Sequence, residues 1–282
     1  KKTGEHACTI FMAVPAMYAK LMDYLGDRKP AVGHMRLWTS GSAPLLPQDF
    51  KRIADTFGQE PVEREGMSET GMNFSNPLRG KRKPGSIGYP LPDLEVRIVN
   101  PETGADVAPG HTGEIWLKGP AVTPGYWRKP GETAAAFEQG WFKTGDLGNI
   151  DADGYYYLTD RIKHIIITSG GKNISPSEIE NSLKTSPFIK EAMVIGDGRK
   201  YLTALIAIEY DVVGGWALSK GIPYTTYRDL TEKPEVIELV QGIVNETNKK
   251  FAESLDLDYP ILSEPGKETA EAYGVLRGNS AA

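Results

Sequence analysis

Residues 141–180 constrain the fold more tightly than any other stretch. Trp141-Phe142-Lys143-Thr144-Gly145-Asp146-Leu147 sets an aromatic pair and a lysine ahead of a small turn and an acid. An acidic turn, Asp151-Ala152-Asp153-Gly154, leads into the aromatic run Tyr155-Tyr156-Tyr157. The mixed-charge cluster Asp160-Arg161-Ile162-Lys163 precedes Ile165-Ile166-Ile167, and three successive β-branched apolar residues read as a buried strand. Gly170-Gly171 turns the chain. In Ser175-Pro176-Ser177-Glu178 the Ser stands at an N-cap, Pro at the first helical position and Glu three residues after the cap. That pattern starts a helix over roughly 176–184.

Upstream, within residues 1–25, Phe11, Val14, Met17, Tyr18, Leu21, Met22 and Leu25 approximate one face of an amphipathic helix, with Pro15 in its first turn. A short strand is predicted at 35–40, followed by the small-residue turn Gly41-Ser42-Ala43-Pro44-Leu45. Small side chains let a ligand approach the backbone, although an ordinary strand-to-helix turn has the same composition. A helix over 47–57 ends at Gly58. Leu94–Ile98 and residues 113–118 alternate apolar and polar positions, so residues 80–120 read as a β-rich segment. Beyond the 176–184 helix, strands at 191–197 and 201–210 and a helix over 236–251 complete a small αβ layer.

Composition excludes several classes of function. The net charge of −5 disfavours a nucleic-acid partner. The lone Cys8 precludes an intramolecular disulfide or a CxxC metal site, and the four histidines have no ligand spacing. No apolar run approaches the roughly 18 residues of a membrane-spanning helix. The expected setting is cytoplasmic. Gly170-Gly171-Lys172 fails the phosphate-loop pattern, because Ile166 stands at the first glycine position and Asn173 at the Ser/Thr position. Gly196-Asp197-Gly198 fails the dinucleotide pattern, because Tyr201 replaces the last glycine.

Four motifs occur in order: Trp38-Thr39-Ser40-Gly41-Ser42-Ala43-Pro44-Leu45, Gly66-Met67-Ser68-Glu69-Thr70, the run over 113–127, and the run over 141–180. Together they resemble the adenylate-forming superfamily, and within it the acyl-CoA synthetases, over roughly residues 1 to 252. The resemblance implies a mixed α/β and α+β fold. Residues 1–160 would be the C-terminal part of an AMP-binding large domain with a β-rich subdomain. Residues 161–252 would be a small, mobile α+β domain. It further implies activation of a carboxylic acid, most similar to a fatty acid, with ATP and Mg²⁺, followed by transfer to coenzyme A. A non-catalytic nucleotide-binding remnant and another adenylate-forming enzyme are the alternatives.

Residue by residue, the resemblance implies that Gly41, Ser42 and Ala43 lie against the acyl group and the adenine. Gly66 and Ser68 would approach the phosphates. Glu69 would supply a hard carboxylate oxygen for Mg²⁺ and count with Lys163 among the catalytic residues. Asp146 would accept from two ribose hydroxyls, since an ionised carboxylate has two acceptor oxygens; taken alone, an acid in a Thr-Gly-Asp turn is more often a turn former. Arg161 would donate to the ribose with its planar fork. Lys163 would be a hinge, and Gly171 would line the path of the coenzyme A arm. Glu65 departs from the pattern by filling the aromatic position that stacks on adenine. Stacking of a base on an aromatic ring contributes about 1–3 kcal/mol, so nucleotide binding is expected to weaken.

The chain opens on Lys1-Lys2 without a Met and is expected to be part of a longer protein. The resemblance implies that the family's Ser/Thr/Gly-rich phosphate loop ending in Lys precedes residue 1, and the lysine expected in the small domain is missing. Residues 253–277 resemble a peroxiredoxin segment instead, although a helix–turn–helix tail similar by chance is the alternative.

Overall fold

The computed structural model describes residues 8–254, with side chains as far as Phe251. The resemblance read over 253–277 lies almost entirely outside the described residues. The chain divides into two compact units, Lys1–Lys163 and His164–Ala282.

The first unit holds two sheets. One has the order β1 (Ile10–Ala13), β2 (Leu37–Ser40), β3 (Val62–Met67), β4 (Gly71–Ser75) and β5 (Tyr89–Pro90). Its first three strands run parallel, and β3–β4–β5 are antiparallel. Helices α1 (Pro15–Leu25) and α2 (Pro47–Phe57) supply the crossovers. Both begin with Pro in the first turn, where the missing N–H costs nothing. In α2 the spacing of Phe50, Ile53 and Phe57 buries one stripe, and Gly58 closes the helix at φ +76°, a backbone state that favours glycine. These residues join Tyr18, Met22, Met35 and Trp38 in one core. Trp38 stacks on Phe57 with ring centroids 4.4 Å apart. The helix expected within residues 1–25 is corrected here: Phe11 lies in β1, paired with Trp38, and the helix starts only at Pro15. Pro15 ends β1 and pre-sets the first turn of α1, so the stripe read from Phe11 spans two elements.

The second sheet is antiparallel, in the order β10 (Tyr156–Arg161), β9 (Trp141–Ile150), β7 (Gly113–Lys118) and β6 (Glu95–Val99). A short β8 (Phe137–Glu138) follows helix α3 (Pro130–Ala136) and pairs with β9. Phe74 and Ile87 pack with Ile115 and Leu117, so the two sheets share a core. Lys83 reaches Asp151 at 2.5 Å and Asp153 at 2.7 Å, holding the loop before β5 to the β9–β10 turn.

The second unit is a smaller αβ layer. A 3₁₀ turn at Ile162–His164 leads to β11 (Ile166–Ile167) and β12 (Asn173–Ile174). Helix α4 (Pro176–Leu183) packs on the hairpin of β13 (Ile189–Ile195) and β14 (Thr203–Ile208). Ile166, Ile174, Ile179, Leu183, Ile189 and Val194 are buried together. Helices α5 (Tyr210–Ser219), α6 (Tyr227–Thr231) and α7 (Pro234–Ser254) follow, with a second cluster around Val213, Leu230 and Val236. No helix among the described residues is long and apolar enough to cross a membrane.

Candidate nucleotide site

The local sequence around Asp146 explains its position. The expected turn at Thr144-Gly145 is a bulge inside the ten-residue strand β9. Glu114 pairs with Leu147 and Trp116 with Lys143, so Ile115 faces three residues of β9. Gly145 takes φ +72° at this bulge, and its N–H donates to Glu114 Oε1 at 2.9 Å. Thr144 Oγ1 accepts from Asp146 N and donates to Ile115 O. These bonds re-aim the strand at the acid, as bulges commonly do. On the other side Asp146 pairs in register with Arg161 of β10. Arg161 Nε donates to Asp146 Oδ1 at 2.7 Å. Burial raises the Asp146 carboxyl above its usual range, and Arg161 pulls it back. The guanidinium is half exposed, so it has donors left for a ligand.

The β3–β4 hairpin has Ser68, Glu69 and Thr70 as its turn. Gly66 stands where backbones are too close for any side chain: a Cβ there would lie 2.4 Å from Gly71 O. Ser68 is exposed at the tip. Glu69 is half-buried, and Tyr126 Oη donates to its Oε1 at 3.1 Å. Its carbonyl accepts from Thr123 N at 2.7 Å, which ties the hairpin to the loop after β7. Glu65 is half-buried on β3. Asn73 Nδ2 donates to its Oε2 at 3.1 Å. Burial pushes the Glu65 carboxyl up to about 7, with the Asn73 bond opposing, Asp146 adding and Arg161 opposing. Glu65 therefore belongs to the same charged group as Asp146 and Arg161.

A Cβ on Gly41 would meet Arg64 O at 2.9 Å, so the loop after β2 lies against β3. Ser42 takes φ +65°, an uncommon state for a residue with a side chain, and Ser42 and Ala43 are exposed. Buried Glu63 accepts from Gly85 N at 3.0 Å and from the Leu45 backbone. Ser40 Oγ, Thr70 Oγ1 and Asn73 Oδ1 are buried without hydrogen-bond partners. Buried polar atoms are nearly always satisfied, and a native exception calls for an explanation. Polar atoms left over along β2, β3 and β4 suit a polar ligand.

Of the residues singled out in sequence, the structure joins Asp146 to Arg161 directly, and the charges of both act on Glu65. Lys163 acts on the Asp146 charge from the exposed 3₁₀ turn. Ser68 and Glu69 lie at the hairpin tip, where Glu69 is bonded to Tyr126 and not to the Asp146 pair. Gly171 belongs to the second unit, exposed at φ +76°. Sequence reading missed Glu63, Asn73, Glu114 and Tyr126. The alternation over 113–118 put Glu114 on a solvent face, yet it is buried, as is Glu63. No group of three metal-ligating acids, histidines or cysteines occurs among the described residues. A single carboxylate at Glu69 is still consistent with Mg²⁺, which is commonly held by one or two carboxylates together with substrate phosphates.

Comparison with known proteins identifies the class. Residues 3–127 match the AMP-binding enzyme family and residues 163–258 match the AMP-binding enzyme C-terminal domain. The chain belongs to this adenylate-forming family. It is 40% identical over 197 residues to a long-chain-fatty-acid–CoA ligase of Bacillus subtilis, covering 70% of this chain and 35% of that protein. It is 35% identical to the mitochondrial malonate–CoA ligase ACSF3 of Mus musculus, covering 92% of this chain and 51% of that protein. The chain thus spans about a third to a half of these relatives' length. Its fold is similar to ATP-bound MatB from Rhodopseudomonas palustris at TM-score 0.67 and 42% identity, covering 71% of this chain and 41% of that one. It is also similar to the O-succinylbenzoate coenzyme A synthetase MenE of Bacillus subtilis in complex with AMP, at TM-score 0.65 and 30% identity, covering 82% and 45%.

Proposed function

We propose that this chain carries the ribose-binding and metal-binding parts of an ATP-dependent acid–CoA ligase, with a fatty acid as the leading candidate substrate. The observation that carries the reading is the Asp146–Arg161 pair at the β9 bulge, 2.7 Å apart and beside the β3–β4 hairpin. In such a reaction the acid's carboxylate attacks the α-phosphorus of ATP, giving an acyl-adenylate and pyrophosphate. The thiolate of coenzyme A then attacks the acyl carbon and AMP leaves.

Each residue has a part in this reading. Asp146 accepts from the two ribose hydroxyls while Arg161 fixes its orientation. Ser68 donates to a phosphate oxygen. Glu69, oriented by Tyr126, holds Mg²⁺, which when bound screens the phosphate charge. Gly41, Ser42 and Ala43 let base and acyl group lie against the backbone. Lys163, the last residue of the first unit, serves as hinge, and Gly171 leaves room for the pantetheine arm. Catalysis of this type rests on positioning and charge stabilisation. The same reading carries a cytoplasmic location.

Malonate is the second candidate acid, supported by the similarity to malonate–CoA ligases over most of the chain. The alternative of a non-catalytic nucleotide-binding protein is favoured by Glu65, which fills the position of an adenine-stacking aromatic. Stacking of a base on an aromatic ring contributes about 1–3 kcal/mol, so nucleotide binding and turnover are expected to be weak. The test is to incubate the chain with ATP, Mg²⁺, coenzyme A and a panel of fatty, malonic and sulfonated acids, following pyrophosphate and thioester. The expected result is acid-dependent pyrophosphate release well below about one turnover per second, against an ordinary enzyme range of about 1–10³ per second. Complete lack of AMP binding would sink the reading.

A further inference from the structure

Glu65 is a buried-side acid within an already charged group, and nothing in the reading above uses it. The residues that face it come from three strands. Asn73 of β4 donates to it at 3.1 Å. Asp146 of β9 repels its charge and Arg161 of β10 attracts it. Arg161 is already bonded to Asp146, and Asp146 also feels Glu114 of β7 and the exposed Lys163. Two carboxylates therefore draw on Arg161, Asp146 through a direct bond and Glu65 only through space.

Asn73 supplies no countercharge. It is fully buried and offers Glu65 a neutral amide, while its Oδ1 has no partner. A protonated Glu65 has a hydroxyl to donate, which an ionised one lacks. With Glu65 neutral, Asp146 and Arg161 balance each other and Asp146 keeps its acceptor oxygens for a ligand. With Glu65 ionised, the group carries an excess negative charge.

We propose that Glu65 is a ligand-determining residue of this site, admitting an anionic nucleotide when its carboxyl is neutral and opposing it when ionised. The proposal rests on the nucleotide-binding reading of Asp146 and Arg161. Nucleotide binding adds negative charge beside Glu65, which favours its protonated form. Binding and protonation are then linked, so that nucleotide binding takes up a proton wherever free Glu65 is ionised. Burial, the largest cause, holds that transition at about 7, inside an accessible range.

The experiment is calorimetric titration of the full chain and of Glu65→Gln with AMP, without metal, at pH 6, 7 and 8. Because AMP's own phosphate ionises identically for both proteins, the ratio of their Kd values isolates Glu65. The expected ratio of wild type to variant rises about tenfold from pH 6 to pH 8, as one linked proton per site requires above its transition. Wild type should also take up close to one proton per AMP at pH 8, read from titrations in buffers of different ionisation heat. That second readout stands even if Glu65→Gln fails to fold. A flat ratio without proton uptake overturns the role of Glu65; if Asp146→Asn still weakens AMP binding, the nucleotide reading survives. AMP binding to neither form, or an Asp146→Asn protein that binds as wild type does, overturns the nucleotide reading and the role of Glu65 with it.

Discussion

The two units bury different chemistry. In the first, Glu63, Glu114, Asp146 and Asp160 are buried among the strands. In the second, the buried polar residues among those described are Thr168 and Thr247, and both cores are apolar. Taking a carboxylate out of water costs several kcal/mol unless hydrogen bonds and opposite charges offset it. The first unit supplies that compensation locally: Gly145 N–H and the Trp116 indole for Glu114, Gly85 N–H for Glu63, Arg161 for Asp146. The second unit has no such cost to meet. The contrast teaches that buried acids are concentrated in the first unit, and that the second is held together as an ordinary hydrophobic layer.

The strongest way to break this contrast is to damage the second unit's core. Leu183 is 1% exposed within it. Leu183→Ala should destabilise that unit by about 2–5 kcal/mol, while the AMP affinity of the chain changes less than about twofold. Two-transition thermal unfolding followed by calorimetry, with AMP titration below the first transition, checks both halves. An equal loss of AMP binding would show that the site depends on the second unit's packing.

A smaller effect should come from Glu63, whose carboxyl burial pushes up to about 8 from an unfolded value of 4.5, against hydrogen bonds from Gly85 and Leu45. Between those values the folded chain keeps a proton that the unfolded chain has shed. Its contribution is therefore fully present below about pH 4.5 and is lost as pH rises toward 8. Glu63→Gln keeps an acceptor for Gly85 and removes the titration. The variant should gain on wild type by about 1–2 kcal/mol between pH 5 and pH 8, read from denaturant midpoints. A gap that does not change with pH would mean that Glu63 is ionised in the folded chain.

The smallest effect belongs to the surface. Lys51 and Asp55 form an exposed pair at 2.8 Å on α2. Such pairs contribute about 0.3–0.5 kcal/mol. Lys51→Ala should therefore shift the denaturant midpoint by no more than that and leave AMP affinity unchanged. A shift above about 1 kcal/mol would sharpen the contrast differently, by moving part of the first unit's stability to its outer helices.

Sequence patterns exposed the parts of this structure that depend on local signals. Helix α2 was legible because Phe50, Ile53 and Phe57 form one stripe between Pro47 and Gly58. The 176–184 helix was legible from its Pro and preceding Ser, and ends at Leu183. Strand β1 was not, because its four residues next to a helix extend the helical spacing by chance. Glu114 was misassigned for a different reason. Alternation reports one covered face, while β7 is buried from Gly113 to Leu117. The Asp146–Arg161 contact lies between those cases. Both residues stood out through the order of the motifs, but their pairing depends on the β9–β10 register and on the Gly145 bulge. A bulge is a three-dimensional accommodation of neighbouring strands, and Thr-Gly-Asp spells a turn equally well.

The central claim is that Asp146, aimed by the bulge and held by Arg161, receives the nucleotide. The most direct measurement is calorimetric titration of wild type and Asp146→Asn with AMP at pH 6. Hydrogen bonds to charged groups contribute about 1.5–3 kcal/mol each, so affinity should fall about 10- to 100-fold while the melting temperature of the variant stays within a few degrees. Equal affinity of the two proteins for AMP would contradict the account.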